Sequence, residues 1–270
     1  MIPTALNDTD PVVIQKIWDT INSGWLVVKL LEVIIIPYFY FMMRPNKIVY
    51  CLFLASLLNI PHNIFGFLAV YITVIYPNIP PTGFWLVQAS CAALIRCIEF
   101  YVNYQIIVGL CEEKMGNVLF ILNWVCGAIV IFGRVGDAIK DNFIAASGVR
   151  WGMAIVSMSG VLNSTFGIIC LRRGVLNVIS KDSRSKTKIG AILSNCVFRM
   201  FFIQFIDFGL IIGFLWAKRS YYTNWWFWIF DNLDNSRALL LLMDVICVKM
   251  FTEKTDTSDM SMIKSVAVTK

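Results

Sequence analysis

Seven stretches of the chain stay apolar for about the 20 residues that a helix needs to cross a hydrocarbon core. They are Trp25–Met43, Ile48–Tyr76, Phe84–Leu110, Val118–Phe132, Trp151–Leu171, Ile189–Trp216 and Trp225–Met250. Polar breaks separate them: RPNK, PNIPPTG, CEEKMGN, GRVGDAIKDN, RRGVLNVISKDSRSKTK and AKRSYYTN. The fourth stretch is the shortest, and without it six helices would return both termini to one side. The pattern predicts an all-α fold, a polytopic seven-helix membrane bundle over 25–250. An extracellular segment (1–24) precedes the bundle and a cytoplasmic tail (251–270) follows it.

Two flanking features refine this layout. Asp10-Pro11 reads as an N-cap and a first-turn proline. Val13, Ile14, Ile17, Trp18 and Ile21 then share one helical face. They form either an interfacial helix or an extension of the first span. Tyr221, Tyr222, Trp225, Trp226 and Trp228 fit the aromatic belt at the outer start of the seventh span. A carbohydrate or ligand platform is the alternative reading of that group.

Composition excludes several classes. Of 270 residues, 58% are hydrophobic and 15% charged, too little polar surface for a disordered chain, a secreted cysteine scaffold or an ordinary soluble enzyme. The eight cysteines fall within or beside apolar runs without a CxxC pair, which argues against a disulfide framework or a zinc site. MIPTALNDTDPVV has no basic n-region, so the first span is expected to act as its own insertion signal.

The net charge of +6 would suggest a nucleic-acid partner for a soluble protein, but in a membrane protein basic residues gather on cytoplasmic loops. With the N-terminus outside, thirteen lysines and arginines fall on inner segments. Six fall outside: Lys16, Arg134, Lys140, Arg150, Lys218 and Arg219. The asymmetry favours an external N-terminus and a cytoplasmic C-terminus. A sequon at Asn7 agrees, as a glycosylation site on that face. A second sequon, Asn163-Ser164-Thr165, lies in the fifth span and is expected to stay unmodified.

The residues that lipid disfavours are the informative ones. A charge at helix centre costs about 2.5–3.5 kcal/mol on insertion scales, and such residues normally face the bundle or a wet cavity. In the first span Lys29 and Glu32 can pair or snorkel. The second span holds Asn59, Pro61, His62 and Asn63. Its proline frees a carbonyl, and His62 is either a hydrogen-bonded core histidine or a titrating group in a pocket or proton path. Arg96, Glu99 and Asn103 line one stripe of the third span, with Gln88 two turns outward. The sixth span has Asn195, Arg199, Gln204 and Asp207, and the seventh Asp231, Asn232, Asp234, Asn235, Arg237 and Asp244. These placements predict an outward-facing polar cavity for a ligand or ion relay, lined by His62, Arg96, Glu99, Asn103, Gln204, Asp207, Asp231 and Asp234. Arg199 and Asp244 are expected to form an inner ionic cluster that holds a closed state. Internal neutralisation of buried charge is the structural alternative.

No phosphate loop, HExxH, GxSxG or clustered metal-ligand set occurs, so neither catalysis nor a cofactor is expected. No internal repeat or Pro-Gln pair marks a small sugar transporter.

Seven spans, an external N-terminus, short loops and a basic fifth–sixth loop resemble a G-protein-coupled receptor. The resemblance implies a coupling surface at Arg172, Arg173, Lys181, Arg184, Lys186 and Lys188, with Ser180, Ser183 and Ser185 as phosphosites. It also implies a cytoplasmic G protein or similar signalling partner. The chain departs from the rhodopsin-like class at Cys111-Glu112-Glu113-Lys114, where the acidic-Arg-aromatic triplet is missing. It also lacks Asn-Pro-x-x-Tyr and a cysteine between Gly133 and Gly148. Arg96-Cys97-Ile98-Glu99-Phe100 is similar to the third helix of microbial rhodopsins. Arg237 stands where a retinal lysine would be wanted, and arginine forms no Schiff base. The leading expectation is a plasma-membrane receptor-like protein that senses a small ligand from outside. A small-solute or proton-coupled transporter and an opsin-related bundle without retinal are the alternatives.

Overall fold

The computed structural model describes residues 27, 29–42, 47–75, 80–108, 113–143, 151–181, 186–216, 229–230, 233–234 and 236–253. Among the described residues the longer helices are α1 (29–42), α2 (Lys47–Ile75), α3 (Thr82–Val108), α4 (Glu113–Phe143), α5 (Trp151–Lys181), α6 (Lys186–Trp216) and α7 (Arg237–Glu253). Five of them, α2 to α6, are long and apolar enough to cross a membrane.

Consecutive helices from α2 to α6 pack side by side, and α7 closes against α6, α2 and α3. Tyr40 of α1 stacks on Phe53 of α2 at 4.5 Å between ring centroids. One apolar core draws a side chain from every helix: Ile36, Leu52, Val102, Leu119, Leu171, Met200 and Leu241 among others. Large apolar side chains point outward instead on Phe41, Trp124, Phe132 and Phe198, each more than 60% exposed. Few soluble proteins leave such a girdle in water; lipid is the solvent that this surface matches. The fold is that of a polytopic, helical membrane protein.

Three boundaries differ from the hydropathy pattern. α4 does not end at Phe132 but runs to Phe143, so GRVGDAIKDN is helix rather than loop, and Arg134 leaves the loop charge census. Glycine and charge in that stretch imitate a turn, yet Gly133 and Asp137 have packing roles. A Cβ on Gly152 would meet the carbonyl oxygen of Gly133 at 2.6 Å, so the α4–α5 crossing is closed by paired glycines, as small residues do between membrane helices. One turn on, Asp137 accepts backbone N–H bonds from Gly152 (3.1 Å) and Met153 (2.9 Å) at the start of α5. It caps the orphan donors of the next helix.

The second difference is that α5 continues ten residues past Leu171, to Lys181, and α6 starts at Lys186. Most of the basic loop is therefore a helical hairpin. The third lies in the seventh span, where the backbone turns at Ser236 before α7 begins at Arg237; residues 229–230 and 233–234 ahead of it are helical. Ser236 donates its hydroxyl to Leu233 O at 2.7 Å. Pro61, by contrast, is accommodated inside the single helix α2.

Candidate functional site: a buried ion cluster joining α3, α6 and α7

The predicted stripe on α3 finds its partners on α6 and at the head of α7. Arg96 lies midway along α3 and reaches in three directions. Its Nη2 donates to Asp207 Oδ1 of α6 at 2.8 Å. Its Nη1 donates to Glu99 Oε2 at 3.3 Å, one turn along the same helix. The same Nη1 reaches Asp234 Oδ1 at 3.2 Å. Arg237 grips Asp207 with both terminal nitrogens, Nη2 to Oδ1 at 2.5 Å and Nη1 to Oδ2 at 3.1 Å. Its Nε also bonds Asp234 Oδ1. Two guanidiniums thus share two aspartates, a fork-to-fork geometry in which charge-assisted bonds are strongest.

Asp207 is wholly buried because α5 makes room for it. A Cβ on Gly160 would overlap the Asp207 carboxylate. Gly160 belongs to a stripe of small buried residues on α5, with Ser157, Ser164 and Gly167 at spacings of three and four. At Gly167 an added Cβ would lie 2.9 Å from Ile107 Cδ1 and 3.0 Å from Met200. That stripe brings α3 and α6 close enough for Arg96 to reach Asp207.

Below the ions runs a chain of amides. Arg199 Nη2 donates to Asn103 Oδ1 at 3.1 Å. Asn103 donates to Asn163 Oδ1 at 2.9 Å, and Asn163 to Asn123 Oδ1 at 3.1 Å. Between the two layers lies a cavity of about 20 Å³, lined by Arg96, Glu99, Asn103, Asn163, Ser164 and Arg237 together with Phe100, Ile203 and Leu241. It admits about one water molecule. Several of its polar side chains bond to one another, Arg96 to Glu99 and Asn103 to Asn163.

A second polar group joins α1 to α2. Lys29 Nζ contacts Glu32 Oε2 at 3.2 Å and Asn59 Oδ1 at 3.1 Å, and Asn59 Nδ2 donates to Glu32 Oε2 at 2.8 Å. Lys29 is 7% exposed and Glu32 1%, so the pair turns inward instead of snorkelling.

The other predicted residues are placed elsewhere or lie outside the described residues. His62 Nδ1 contacts the backbone oxygen of Gln88 at 3.1 Å, an α2–α3 contact apart from the ions. Gln204 donates to Thr165 Oγ1 at 2.6 Å, so it ties α6 to α5 and does not join Asp207. Arg172 and Arg173 are exposed at the end of the apolar stretch of α5, and Arg173 Nη1 approaches Met115 Sδ at 3.6 Å. Lys181, Lys186 and Lys188 fall on helical backbone, but their side chains lie outside the described residues, as does that of Asp244 in α7. Asn7, Arg184 and Asp231 lie wholly outside them.

Asn123, Asn163 and Gly160 were not among the predicted site residues. Asn163 drew notice only as a sequon. The small-residue stripe on α5 was the available pointer to a face that must accept bulky neighbours.

The cluster defines a class: a polytopic helical membrane protein with an internal salt-bridge network at mid-span. The chain matches no protein-family model, no curated protein and no solved structure at a significant level.

Proposed function

We propose that the protein is a receptor-like membrane protein of the plasma membrane, N-terminus outside, whose ion cluster holds α3, α6 and α7 in a closed state. The observation that supports this reading is the sharing of Asp207 between Arg96 of α3 and Arg237 of α7. Buried ion pairs add little net stability, and their best-attested use is in registry and switching. A small ligand arriving at the outer ends of these helices would rearrange the shared bonds and shift the helices together. The α5–α6 hairpin would carry that shift to a cytoplasmic partner, such as a G protein, through Arg172, Arg173, Lys181, Arg184, Lys186 and Lys188. Reversing the charges at Arg172, Arg173, Lys186 and Lys188 should abolish signalling and leave ligand binding intact. A mutant that signals normally would remove the coupling assignment.

A carrier is the second reading, favoured by the small cavity beside charged and amide side chains at mid-span, where transported solutes bind in many membrane proteins. It predicts saturable uptake into proteoliposomes that is lost in Asp207→Asn. Flat uptake across a broad panel of small solutes would count against it.

A further inference from the structure

The two guanidiniums at the centre of the bundle hold one carboxylate, Asp234, by fewer bonds than the other, Asp207. Asp207 sits on the unbroken helix α6, fully buried and seated against Gly160. Asp234 lies just before the Ser236 turn at the start of α7. Its side chain is 15% exposed, the most accessible of the three acids. It offers one oxygen, Oδ1, to both arginines. It takes two arginine bonds, both on that oxygen, whereas Asp207 takes three on its two oxygens.

The arginines would remain in place without it, because Asp207 binds both. Arg96 is 5% exposed, and its Nε has no hydrogen-bond partner among the described residues. Buried donors are rarely left unpaired in a finished structure. Both guanidiniums line the cavity, with Ser164 and Asn163 on the α5 side. Exchange of Asp234 for another carboxylate leaves the net charge of the cluster unchanged, which bringing an extra ion into lipid would not.

We infer that Asp234 occupies a binding site for a small carboxylate as its built-in stand-in, and that the ligand of this bundle is a carboxylate that displaces Asp234 from Arg96 and Arg237. The inference rests on the receptor-like reading and specifies the chemistry of its ligand. A site whose vacant form is a minor state, populated at about 10% or less, binds its ligand weaker by that same factor. Removing the internal competitor should therefore tighten binding by about tenfold or more.

The test uses the full chain in lipid nanodiscs and follows thermal unfolding by tryptophan fluorescence. Sodium acetate is titrated against sodium chloride at equal ionic strength, with n-butylammonium chloride as the cationic probe. Acetate should raise the unfolding midpoint saturably, and Asp234→Asn should lower the half-saturating acetate concentration about tenfold. Should Asp234→Asn fail to fold, Asp234→Ser leaves space for the probe, and acetate should restore its midpoint where chloride does not. The inference is overturned by equal effects of acetate and chloride in these proteins, by unchanged half-saturation in Asp234→Asn, or by stabilisation with n-butylammonium instead. A response to the cation would leave the receptor-like reading standing with the wrong ligand charge. Acetate binding with no movement between spin labels at the inner ends of α3 and α6 would remove the receptor-like reading and keep the carboxylate site.

Discussion

Replacing Asp207 by asparagine removes the charge and keeps the shape, which makes it the sharpest probe of the cluster. The carboxylate accepts three charge-assisted bonds from two arginines at 2.5 to 3.1 Å and has no exposed surface. Asparagine can accept only through its single oxygen, and its amide would turn a donor toward guanidinium donors. Two charges about 4 Å apart interact by roughly 4 kcal/mol at an effective dielectric near 20, and removing one partner of a buried pair costs about 3–5 kcal/mol. Arg96 keeps Glu99 and Asp234, and Arg237 keeps Asp234. That sets the expectation at the lower end, about 3 kcal/mol. Reversible unfolding in mixed micelles measures it, and a double-mutant cycle with Arg237→Gln isolates the pair. The coupling should be about 2 kcal/mol, within the usual range for residues in one ionic network. A single mutant that costs less than about 1 kcal/mol, or a cycle that is additive, would refute the claim that Asp207 ties α7 to the bundle.

Other expectations follow from neighbouring contacts. Gly160→Ala adds a Cβ that overlaps the Asp207 carboxylate, and should cost about 1–3 kcal/mol as an overpacked site; a neutral result in the same unfolding assay would mean that Asp207 can shift without loss. Asn163→Ala cuts the amide chain between Asn103 and Asn123, and should cost about 1 kcal/mol, typical of polar contacts between membrane helices. Lys29→Met strands Glu32 beside Asn59 and should destabilise by about 3 kcal/mol, whereas Lys29→Met with Glu32→Leu should recover most of the loss; equal losses in both would show that the pair matters for shape and not charge. An external N-terminus predicts a glycan at Asn7 in microsomes, removed by Asn7→Gln, and modification of a sequon engineered into 254–270 would overturn that orientation.

Hydropathy made the bundle legible because the membrane imposes one strong rule, a run of apolar residues per crossing. It failed where polar residues do helical work. Gly133, Gly136 and Asp137 read as a turn, yet Gly133 permits a close helix crossing and Asp137 caps α5. Neither purpose leaves a local mark, since each depends on a partner in another helix. The fifth span, read as Trp151–Leu171, agrees with the apolar stretch Gly152–Arg173, while helix α5 outlasts that stretch: hydropathy measures lipid contact instead of backbone state.

The candidate site was legible by element but not by pairing. Arg96, Glu99 and Asn103 announced a face by their spacing, and the charges of the sixth and seventh spans announced that partners existed. Which ones met depended on the approach of backbones, and that is set by the side chains that are missing. Gln204 and Asp207 stand three apart on α6, on adjoining faces, yet Gln204 meets Thr165 while Asp207 lies against the bare backbone of Gly160 and takes both arginines. Thr165 and Gly160 therefore sort the two polar residues of α6 between a helix–helix tie and the ion cluster. The inference runs back to sequence: where small residues recur at spacings of three and four opposite a buried charge, the charge belongs to the helix behind the small face. Gly160 and Asp207 are coupled by that rule, because the three atoms nearest an added methyl at Gly160 all belong to the Asp207 carboxylate.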